Sequence, residues 1–283
     1  SWTYGIFENI RKILEYMKVV ILAGGAGSRI SEETISKPKP MILIGNKPIL
    51  WHIMKIYSSQ GFNDFIILLG YKGELIKDYF LNYNFYNSNI QIDLATQEKK
   101  IINRKKDNWK VTLVDTGDAT MTGGRIKRAK NYIGKNKFFL TYGDGLSNVN
   151  LKQLIKFHDS HKGSISMTGV QLQGRFGALD FNKNKITNFK NRNNLLKNFR
   201  EKSKKDNSWI NGGFFVCENK IFNYIKNDKT IFEEEPLQNL SKNKKLYVYK
   251  HKGFWHPMDN ISDHKFLNNL WNIKKAPWKI WKK

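Results

Sequence analysis

Apolar strand-like runs alternate with helix-like segments over roughly the first half of the chain, and this alternation constrains the fold more than any other feature. The runs are "KVVILAG", "DFIILLGY", "IQIDLAT", "VTLVDTG" and "KFFLTYGDG". Between them lie segments with helical periodicity, such as "KPILWHIMKIYSSQG", "KGELIKDYFLNY" and "GRIKRAKNYI". Continuous apolar runs of this length are typical of strands buried on both faces. The sequence therefore predicts an α/β fold with a mostly parallel, twisted sheet and helices on both of its faces.

The C-terminal half of the chain is richer in strands. After the helical segment "NLKQLIKFHDSHKG" come "SISMTGVQL", "FGALDF", "KITNF", "WINGGFFV" and "KLYVYKH". The chain has 283 residues and shows no internal repeat or long low-complexity linker. We predict one domain over residues 17–283 with additional strands in its C-terminal half, preceded by an N-terminal extension, residues 1–16.

The first predicted strand ends in a glycine-rich loop, "VVILAGGAGSRI". The loop begins like the dinucleotide fingerprint GxGxxG at Gly25, but Ile30 occupies the place of the third glycine, and no Gly-Lys-Ser/Thr follows as in a P-loop. Bare backbone N–H groups beside the fixed charge of Arg29 suit an anionic oligophosphate. The alternative is a tight turn between a strand and a helix that binds no ligand.

Two aspartates are candidate metal ligands. Asp144 lies between two glycines in "GDG", at the end of a predicted strand parallel to the first, so it opens on the same sheet edge as the glycine loop. Asp259 follows an aromatic, proline-stiffened segment in "GFWHPMDN". Carboxylate oxygens between phosphates are what Mg²⁺ prefers. For Asp144 the alternative is a turn aspartate that bonds its own backbone.

The segment "ISKPKPM" places Lys37 and Lys39 beside prolines. Proline restricts its own backbone and that of the preceding residue, so we expect each lysine on stiff, extended backbone rather than on a helix. A rigidly aimed ammonium suits a phosphate oxygen whose charge changes during a reaction. The alternative is an exposed proline-rich surface turn.

The chain is strongly basic, with 49 Lys and Arg against 24 Asp and Glu and a net charge of +25. The lysines lie in scattered short runs rich in asparagine rather than in one stripe. We interpret them as a solvated surface that binds polyanions weakly and favours a polyphosphate substrate, not as a specific nucleic-acid site. No apolar window is long enough to predict a membrane span.

Cysteine usage and the N-terminus bear on location. Cys217, the single cysteine, excludes a disulfide framework and is compatible with a reducing cytoplasm, and its apolar surroundings predict a buried, structural thiol. Residues 1–16 carry charges that interrupt any apolar stretch, so they do not resemble a secretion signal, and we expect either an amphipathic helix or residues upstream of the natural start. The six histidines show no spacing typical of zinc, so we treat them as structural.

Several blocks in order carry a family resemblance: the stretch from "MKVVILAGGAGSR" to "LLGYKG", then "WKVTLVDTGDATMTGGRIKRA", "FLTYGDGL", "GRFGALDF", "WINGGFFV", "EEEPLQNL", "GFWHPMDN" and "KAPWKIW". They resemble the glucose-1-phosphate cytidylyltransferases, a branch of the sugar nucleotidyltransferase family, from Met17 almost to the C-terminus. The resemblance implies a Rossmann-like fold, condensation of CTP with α-D-glucose 1-phosphate to CDP-glucose and pyrophosphate, Mg²⁺ as cofactor, a homo-oligomer and a role in polysaccharide biosynthesis.

The resemblance also implies roles for individual residues. Arg29 and Lys39 would be catalytic, and Asp144 and Asp259 would hold Mg²⁺. The residues implied to bind nucleotide or sugar phosphate are Leu22, Ala23, Gly24, Gly25, Ala26, Gly27, Ser28, Gly124, Gly177, Glu201, Lys202 and Asn211. Ser203 replaces the family's proline after the Glu-Lys pair, and "NRNNLLKN" is an insertion just before that pair, so another lysine, Lys204 or Lys205, is an alternative to Lys202.

Other functions remain alternatives at this point. The same scaffold could use another nucleoside triphosphate or another sugar 1-phosphate. A protein of a different class, a non-catalytic sugar-nucleotide sensor, would be expected to lack the phosphate-handling residues, yet Arg29, Lys39 and both aspartates are present.

Overall fold

A computed structural model describes residues 17–25, 36–103, 107–171, 178–181, 196–200 and 209–282 of the chain. The β-strands are β1 Lys18–Leu22, β2 Leu43–Ile44, β3 Lys47–Pro48, β4 Asp64–Leu69, β5 Asn89–Ile92, β6 Lys99–Ile102, β7 Lys110–Asp115, β8 Phe138–Tyr142, β9 Gly145–Ser147, β10 Ile165–Gln171, β11 Ala178–Phe181, β12 Leu196–Arg200, β13 Trp209–Cys217, β14 Leu246–Lys250 and β15 Trp255–Pro257. The α-helices are α1 Ile49–Ser58, α2 Gly73–Leu81, α3 Tyr83–Tyr86, α4 Thr122–Arg128, α5 Lys130–Ile133, α6 Leu151–Asp159, α7 Glu235–Lys242 and α8 Ile261–Asn272.

The centre of the main sheet is parallel, as predicted. β1 pairs in parallel with β4 on one side and with β8 on the other, and β4 pairs in parallel with β7. The apolar runs explain this arrangement, because Val19, Val20 and Ile21 are fully buried between two layers of helices. The carboxyl ends of β1 and β8 therefore meet at one edge of the sheet.

Strands of the C-terminal half extend this sheet and make it mixed, which confirms the prediction of additional strands. β13 pairs antiparallel to β8, and β10 pairs antiparallel to β13 and parallel to β14. β11 joins β13 and β12 in antiparallel pairing, so the described residues form a sheet of nine strands. The predicted strand "KITNF" and the predicted N-terminal helix lie outside the described residues.

Helices cover both faces of the sheet, as the alternation predicts. Val19 and Ile21 of β1 pack into a core with Ile53 of α1 and Leu154 of α6. Val20 and Leu22 point the other way, into a second core that holds Ile126 of α4 and Leu237 of α7. Successive residues of a strand face opposite sides, so one short strand contributes to both cores. Cys217 is fully buried in the second core, as predicted, and burial raises the pKa of its thiol.

The run "IQIDLAT" forms a strand, but this strand is not part of the main sheet. β5 pairs antiparallel with β6 in a separate two-stranded hairpin. The connection between them is too short for the crossover that a parallel pair requires, so only a hairpin can form. Its apolar residues remain exposed, Leu94 at its turn by 80%.

The local signals for helix ends hold in part. Helix α1 begins after Pro48, and Gly61 beyond its end has a φ of +100°, which glycine adopts without strain. The predicted helix over residues 124–133 is two pieces, α4 and α5, that meet at Ala129. In the described part of the chain, no helix has the length and apolar character needed to cross a membrane.

Candidate active site

A cavity of about 820 Å³ opens at the carboxyl ends of β1 and β8. Ligands bind at this edge in open parallel sheets. Eight of the predicted site residues line the cavity: Leu22, Ala23, Gly24, Gly25, Lys39, Asp144, Asn211 and Asp259. The sheet edge named from the sequence is therefore the edge where a substrate-sized space exists.

Lys39 joins the two predicted metal ligands. Its Nζ donates to Oδ2 of Asp144 at 2.6 Å and to Oδ1 of Asp259 at 2.8 Å. All three side chains are largely buried at the cavity wall, with exposed fractions of 13%, 29% and 19% respectively. The structure therefore brings Asp144 and Asp259 together around one cation, the Lys39 ammonium, and their role as Mg²⁺ ligands stays a prediction.

Strand pairing explains how two aspartates far apart in sequence come together. Asp144 lies in the turn between β8 and β9, and β9 pairs antiparallel with β15, so that Gly145 is opposite Pro257. The N–H of Met258 donates to the carbonyl of Asp144 at 2.8 Å. Asp259 follows directly, so the short β9–β15 ribbon places the two carboxylates side by side.

Lys39 reaches this pair from a short, stiff turn. Pro38 is extended, with φ −68° and ψ 148°, but Lys39 itself starts a 3₁₀ turn, Lys39–Met41, so the expectation of extended backbone at Lys39 is wrong. Pro40 is compatible with this turn because the first residues of a helix need no N–H partner within it. Lys37 is exposed, in agreement with the surface-turn alternative for that residue.

The carboxylates also determine the charge of Lys39. Burial disfavours its ammonium form, but attraction and hydrogen bonds from Asp144 and Asp259 together outweigh this effect and raise the pKa of Lys39. The lysine is therefore a permanent cation at neutral pH.

Arg125 fixes the start of the glycine loop, a role that the sequence reasoning missed. Its guanidinium donates to the carbonyls of Gly24 at 3.1 Å and Gly117 at 2.7 Å and to Oγ1 of Thr116 at 2.8 Å. A Cβ on Gly24 would lie 2.3 Å from this guanidinium, whereas a Cβ on Gly25 would meet no atom of the described residues within 4 Å. Gly24 is thus required by a neighbouring side chain, and Gly25 is the position open to close approach by a ligand.

A second wall of the cavity carries uncharged donors and a carboxylate. Nδ2 of Asn211 on β13 donates to the hydroxyl of Tyr142 at 3.0 Å, and its Oδ1 accepts the N–H of Gly213 at 2.9 Å. Glu233 lies beside Tyr142 and accepts from Oγ1 of Thr122 at 2.6 Å. Burial and then Glu233 raise the pKa of Tyr142, so its hydroxyl stays protonated. Asn211 is held in one orientation, as a recognition residue requires.

Asp263 fixes the segment that carries Asp259. Its Oδ2 accepts the N–H groups of Asp259 at 3.0 Å and Asn260 at 3.2 Å, and its Oδ1 lies 3.1 Å from Nε2 of His256. Asn260 and Asp263 form a reciprocal capping box at the start of α8. Asp263 is 4% exposed, and through its bond to Asp259 it supports the cavity wall from behind.

The donor set fits Mg²⁺. Two carboxylates from separate segments already share one cation, the Lys39 ammonium. Within the described residues no third His, Cys, Asp or Glu completes a protein cage around them. Mg²⁺ is held in this way in nucleotide enzymes, by one or two carboxylates together with substrate phosphates.

The charge of the cavity also calls for a cation. Its described lining includes four carboxylates, against the cations of Lys39 and Arg125. The carboxylates are Asp118, Asp144, Glu233 and Asp259. An oligophosphate beside this set would be repelled unless further positive charge came with it, and a divalent metal supplies that charge.

The remaining predicted residues are not brought to the cavity by the described structure. Ala26, Gly27, Ser28, Arg29, Gly177, Glu201 and Lys202, with the insertion before the last two, lie outside the described residues, so their roles stay predictions. Gly124 packs against the backbone of Asp228, which a Cβ would approach to 2.5 Å, and the cavity geometry gives no support to its predicted ligand contact. In the "TGGR" block it is Arg125, not Gly124, that lines the cavity.

Comparison with known proteins identifies a family for this chain. Residues 18–264 match the family model described as Nucleotidyl transferase. A glucose-1-phosphate cytidylyltransferase of Salmonella typhimurium is 48% identical over 94% of this chain and 100% of its own length.

Crystal structures of HddC share the fold of this chain. The crystal structure of HddC from Yersinia pseudotuberculosis has a TM-score of 0.70 and 25% identity over 90% of this chain and 99% of its own. The complex of HddC with GMP-PN has a TM-score of 0.69, 25% identity and the same coverage.

Proposed function

The chain belongs to the nucleotidyl transferase family, and on that premise we propose that it condenses CTP with α-D-glucose 1-phosphate to CDP-glucose and pyrophosphate. The observation that carries the proposal is the 48% identity, over the full length of the relative, to an enzyme named glucose-1-phosphate cytidylyltransferase. The cavity, the lysine and the carboxylate pair supply what this chemistry requires.

The reaction is a displacement at phosphorus. A phosphate oxygen of glucose 1-phosphate forms a bond to the α-phosphorus of CTP, and the bond from that phosphorus to the oxygen bridging the α- and β-phosphates breaks. The electron pair leaves with pyrophosphate, so no electrons are gained or lost overall. Such a step needs alignment and charge neutralisation more than covalent help from the protein.

The described residues provide both. Gly25 leaves room for close approach of a phosphate, and Arg125 holds the backbone before it through Gly24. Lys39 places a permanent positive charge at the cavity wall. Asp144 and Asp259 would hold a divalent metal, which when bound would act as a Lewis acid and neutralise negative charge on the triphosphate. Arg29, by its predicted role, would stabilise the leaving pyrophosphate.

A non-catalytic sugar-nucleotide sensor fits less well. A binding protein has no use for an ammonium and two carboxylates held at hydrogen-bond distance in a partly desolvated wall, because such charges cost free energy to bury. An enzyme using another nucleotide or another sugar 1-phosphate would keep the same charged residues, so only turnover measurements separate it from the proposed activity.

Location and assembly complete the proposal. We place the enzyme in the cytoplasm, since its single, buried cysteine needs no oxidising compartment. We also propose a homo-oligomer. In its support, the β5–β6 hairpin exposes several apolar side chains together, and grouped apolar exposure marks interaction surfaces. They are Ile90 at 42%, Ile92 at 47%, Leu94 at 80% and Ile102 at 39%.

The decisive experiment compares nucleotides. Pyrophosphate release is followed with glucose 1-phosphate, Mg²⁺ and one of CTP, UTP, dTTP or GTP, and the product is identified by mass spectrometry. We expect turnover with CTP to exceed that with each other nucleotide by about 10-fold or more, because a base-specific site leaves polar groups unpaired with the wrong base. Release must require the sugar phosphate and fail in Asp144→Asn. Faster turnover with UTP, dTTP or GTP would overturn the cytidylyl assignment. No pyrophosphate release with any of the four nucleotides would overturn the proposal that the protein is an enzyme.

A further inference from the structure

Lys39 occupies the position between Asp144 and Asp259 that a divalent metal would take, and we propose that its ammonium is an exchangeable cation that keeps the metal out until a nucleotide arrives. When a metal enters with the triphosphate, Lys39 leaves the carboxylates and pairs with phosphate oxygens. This inference rests on the proposed function, because it takes Asp144 and Asp259 as the metal ligands.

The geometry makes the two cations competitors. The ammonium uses Oδ2 of Asp144 and Oδ1 of Asp259 at 2.6 and 2.8 Å. Mg²⁺ binds oxygen at about 2.1 Å and needs oxygens of the same carboxylates. Two cations held on one pair of carboxylates would repel each other strongly in this partly desolvated wall. The metal must therefore displace the ammonium from at least one aspartate.

In Lys39 the side chain can move while the backbone is restrained. Pro38 and Pro40 restrict the backbone on both sides, and the N–H of Ile42 donates to the carbonyl of Lys39 at 3.1 Å. The side chain is a flexible four-carbon stem, in contrast to the planar fork of arginine. Because Lys39 and Gly25 line the same cavity, we expect the ammonium to reach a bound phosphate by a turn of its side chain, with the main chain unchanged.

The exchange couples metal entry to nucleotide binding. If a metal bound without nucleotide, the displaced Lys39 ammonium would have no anionic partner. That would cost free energy, because the Lys39 side chain is only 13% exposed and is poorly solvated. With a triphosphate present, the metal gains phosphate oxygens and the ammonium gains a new partner. We therefore expect weak metal binding without nucleotide and much tighter binding with it, by a mechanism located at Lys39.

A static role for Lys39 makes the opposite prediction. If the lysine only neutralises two aspartates to hold the fold together, its removal would leave two repelling carboxylates that move apart, and metal binding would weaken. If it is an exchangeable cation, its removal leaves a prepared pair of ligands and strengthens metal binding. The two roles differ in the sign of the change.

The test measures Mn²⁺ affinity without any nucleotide or sugar, by calorimetry or by electron paramagnetic resonance. We expect Lys39→Met to bind Mn²⁺ about 10-fold tighter than the wild type, because the competing cation is gone. The matched variant Lys39→Arg keeps a cation that can bridge both carboxylates, and we expect it to bind no tighter than the wild type. The gain must vanish in Lys39→Met combined with Asp144→Asn. Equal or weaker binding in Lys39→Met overturns the proposal.

A second measurement uses the unaltered protein and so does not depend on a variant that folds. Acylation of the Lys39 amine is followed by mass spectrometry as Mn²⁺ is raised, and we expect labelling of Lys39 to increase while that of exposed lysines stays constant. No change at saturating Mn²⁺ also overturns the proposal. Neither measurement involves CTP or glucose 1-phosphate, so its failure is distinct from a failure of the proposed activity.

Discussion

Two clusters of polar side chains illustrate how differently this molecule uses buried charge. The first is the site cluster, Lys39, Asp144 and Asp259, which carries three formal charges and faces a cavity. The second is the histidine cluster, which lies between α6, β10 and the end of β13 and does not line that cavity. Its members are His158, His161, Ser166 and Glu218.

The histidine cluster superficially resembles a catalytic triad, since Ser166, His158 and Glu218 lie in hydrogen-bonded series. Oγ of Ser166 lies 2.8 Å from Nδ1 of His158, whose Nε2 lies 3.1 Å from Oε1 of Glu218. Ser166 is fully buried, so its hydroxyl cannot reach a substrate. Geometry of this kind identifies a nucleophile only where the nucleophile is accessible.

Each proton of the histidine cluster has a defined place. The N–H of Gly163 donates to Nδ1 of His161 at 3.0 Å, so a neutral His161 carries its proton on Nε2 and donates to Ser166 at 2.7 Å. Ser166 in turn donates to His158, which donates to Glu218. A network in which every donor has an acceptor stabilises one conformation. The site cluster instead holds unequal charges that a ligand can rearrange, and this difference marks the functional cluster.

Removing one charge from the site cluster tests whether this cluster is needed for activity. We expect Asp144→Asn or Asp259→Asn to lower kcat by about 10³-fold, because each loses a charge on which the proposed metal depends. The double variant should cost little more than either single one, since residues that act as a unit are not additive. Steady-state kinetics and thermal melting check both activity and fold.

A matched control is available for this experiment. Asp159→Asn also removes the carboxylate of a lysine ion pair, that of Lys137, but the pair lies outside the cavity and Asp159 is 51% exposed. Its kcat should stay within a factor of about two, because exposed ion pairs contribute little. If both variants lose activity alike, or if the double loss equals the product of the single losses, the site cluster is not a unit.

We expect a smaller loss of activity from changes at Asp263, which is buried and supports the segment that carries Asp259. Asp263→Ala leaves the N–H groups of Asp259 and Asn260 without their acceptor, and we expect kcat and Mn²⁺ affinity measured with CTP to fall by about 10- to 100-fold. Asp263→Asn keeps an oxygen that can accept these bonds and should recover most of the loss. An alanine variant with reduced melting temperature but normal Mn²⁺ affinity would reduce Asp263 to a helix cap.

The sequence predicted the parallel centre of the fold and the site edge because these depend on local signals. Continuous apolar runs identify β1, β4 and β8, and the carboxyl ends of parallel strands lie together regardless of how the rest of the chain is arranged. Asp144 and Gly25 were found for that reason. The convergence of Asp259 on Asp144 could be suspected, but the β9–β15 pairing that produces it leaves no local mark in so few residues.

Arg125 and Asp263 were beyond sequence reasoning for another physical cause. Each side chain hydrogen-bonds main-chain groups, Arg125 those of Gly24, which is distant in sequence, and Asp263 those of the nearby Asp259. Main-chain donors and acceptors are the same at nearly every position, so the sequence does not mark these partners. Likewise β5 and β6 have the composition of ordinary strands, which does not show whether they join the main sheet. Only the short connection between them indicates that they pair with each other.

The smallest expected effect concerns the histidine cluster and stability rather than catalysis. The His161 ring stacks on Tyr247. Burial, and then the neighbouring His158, lower the pKa of His161 to about 3, and the opposing effect of Glu218 is smaller. In the unfolded chain the same ring takes up a proton near pH 6.5. Between these values the unfolded chain binds more protons, so the stabilisation present above about pH 6.5 is lost as the pH falls towards 3.

Urea unfolding at pH 7 and pH 5 checks this in the wild type and in His161→Gln. We expect the wild type to lose stability at pH 5 and the variant to lose less, by on the order of 1 kcal/mol, because a glutamine at this position takes up no proton. At pH 7 the variant should be less stable than the wild type but keep its kcat, since His161 does not line the cavity. A variant with the full pH dependence of the wild type would show that His161 is not the group responsible, and His52, whose pKa burial lowers to about 4, would be the next to test.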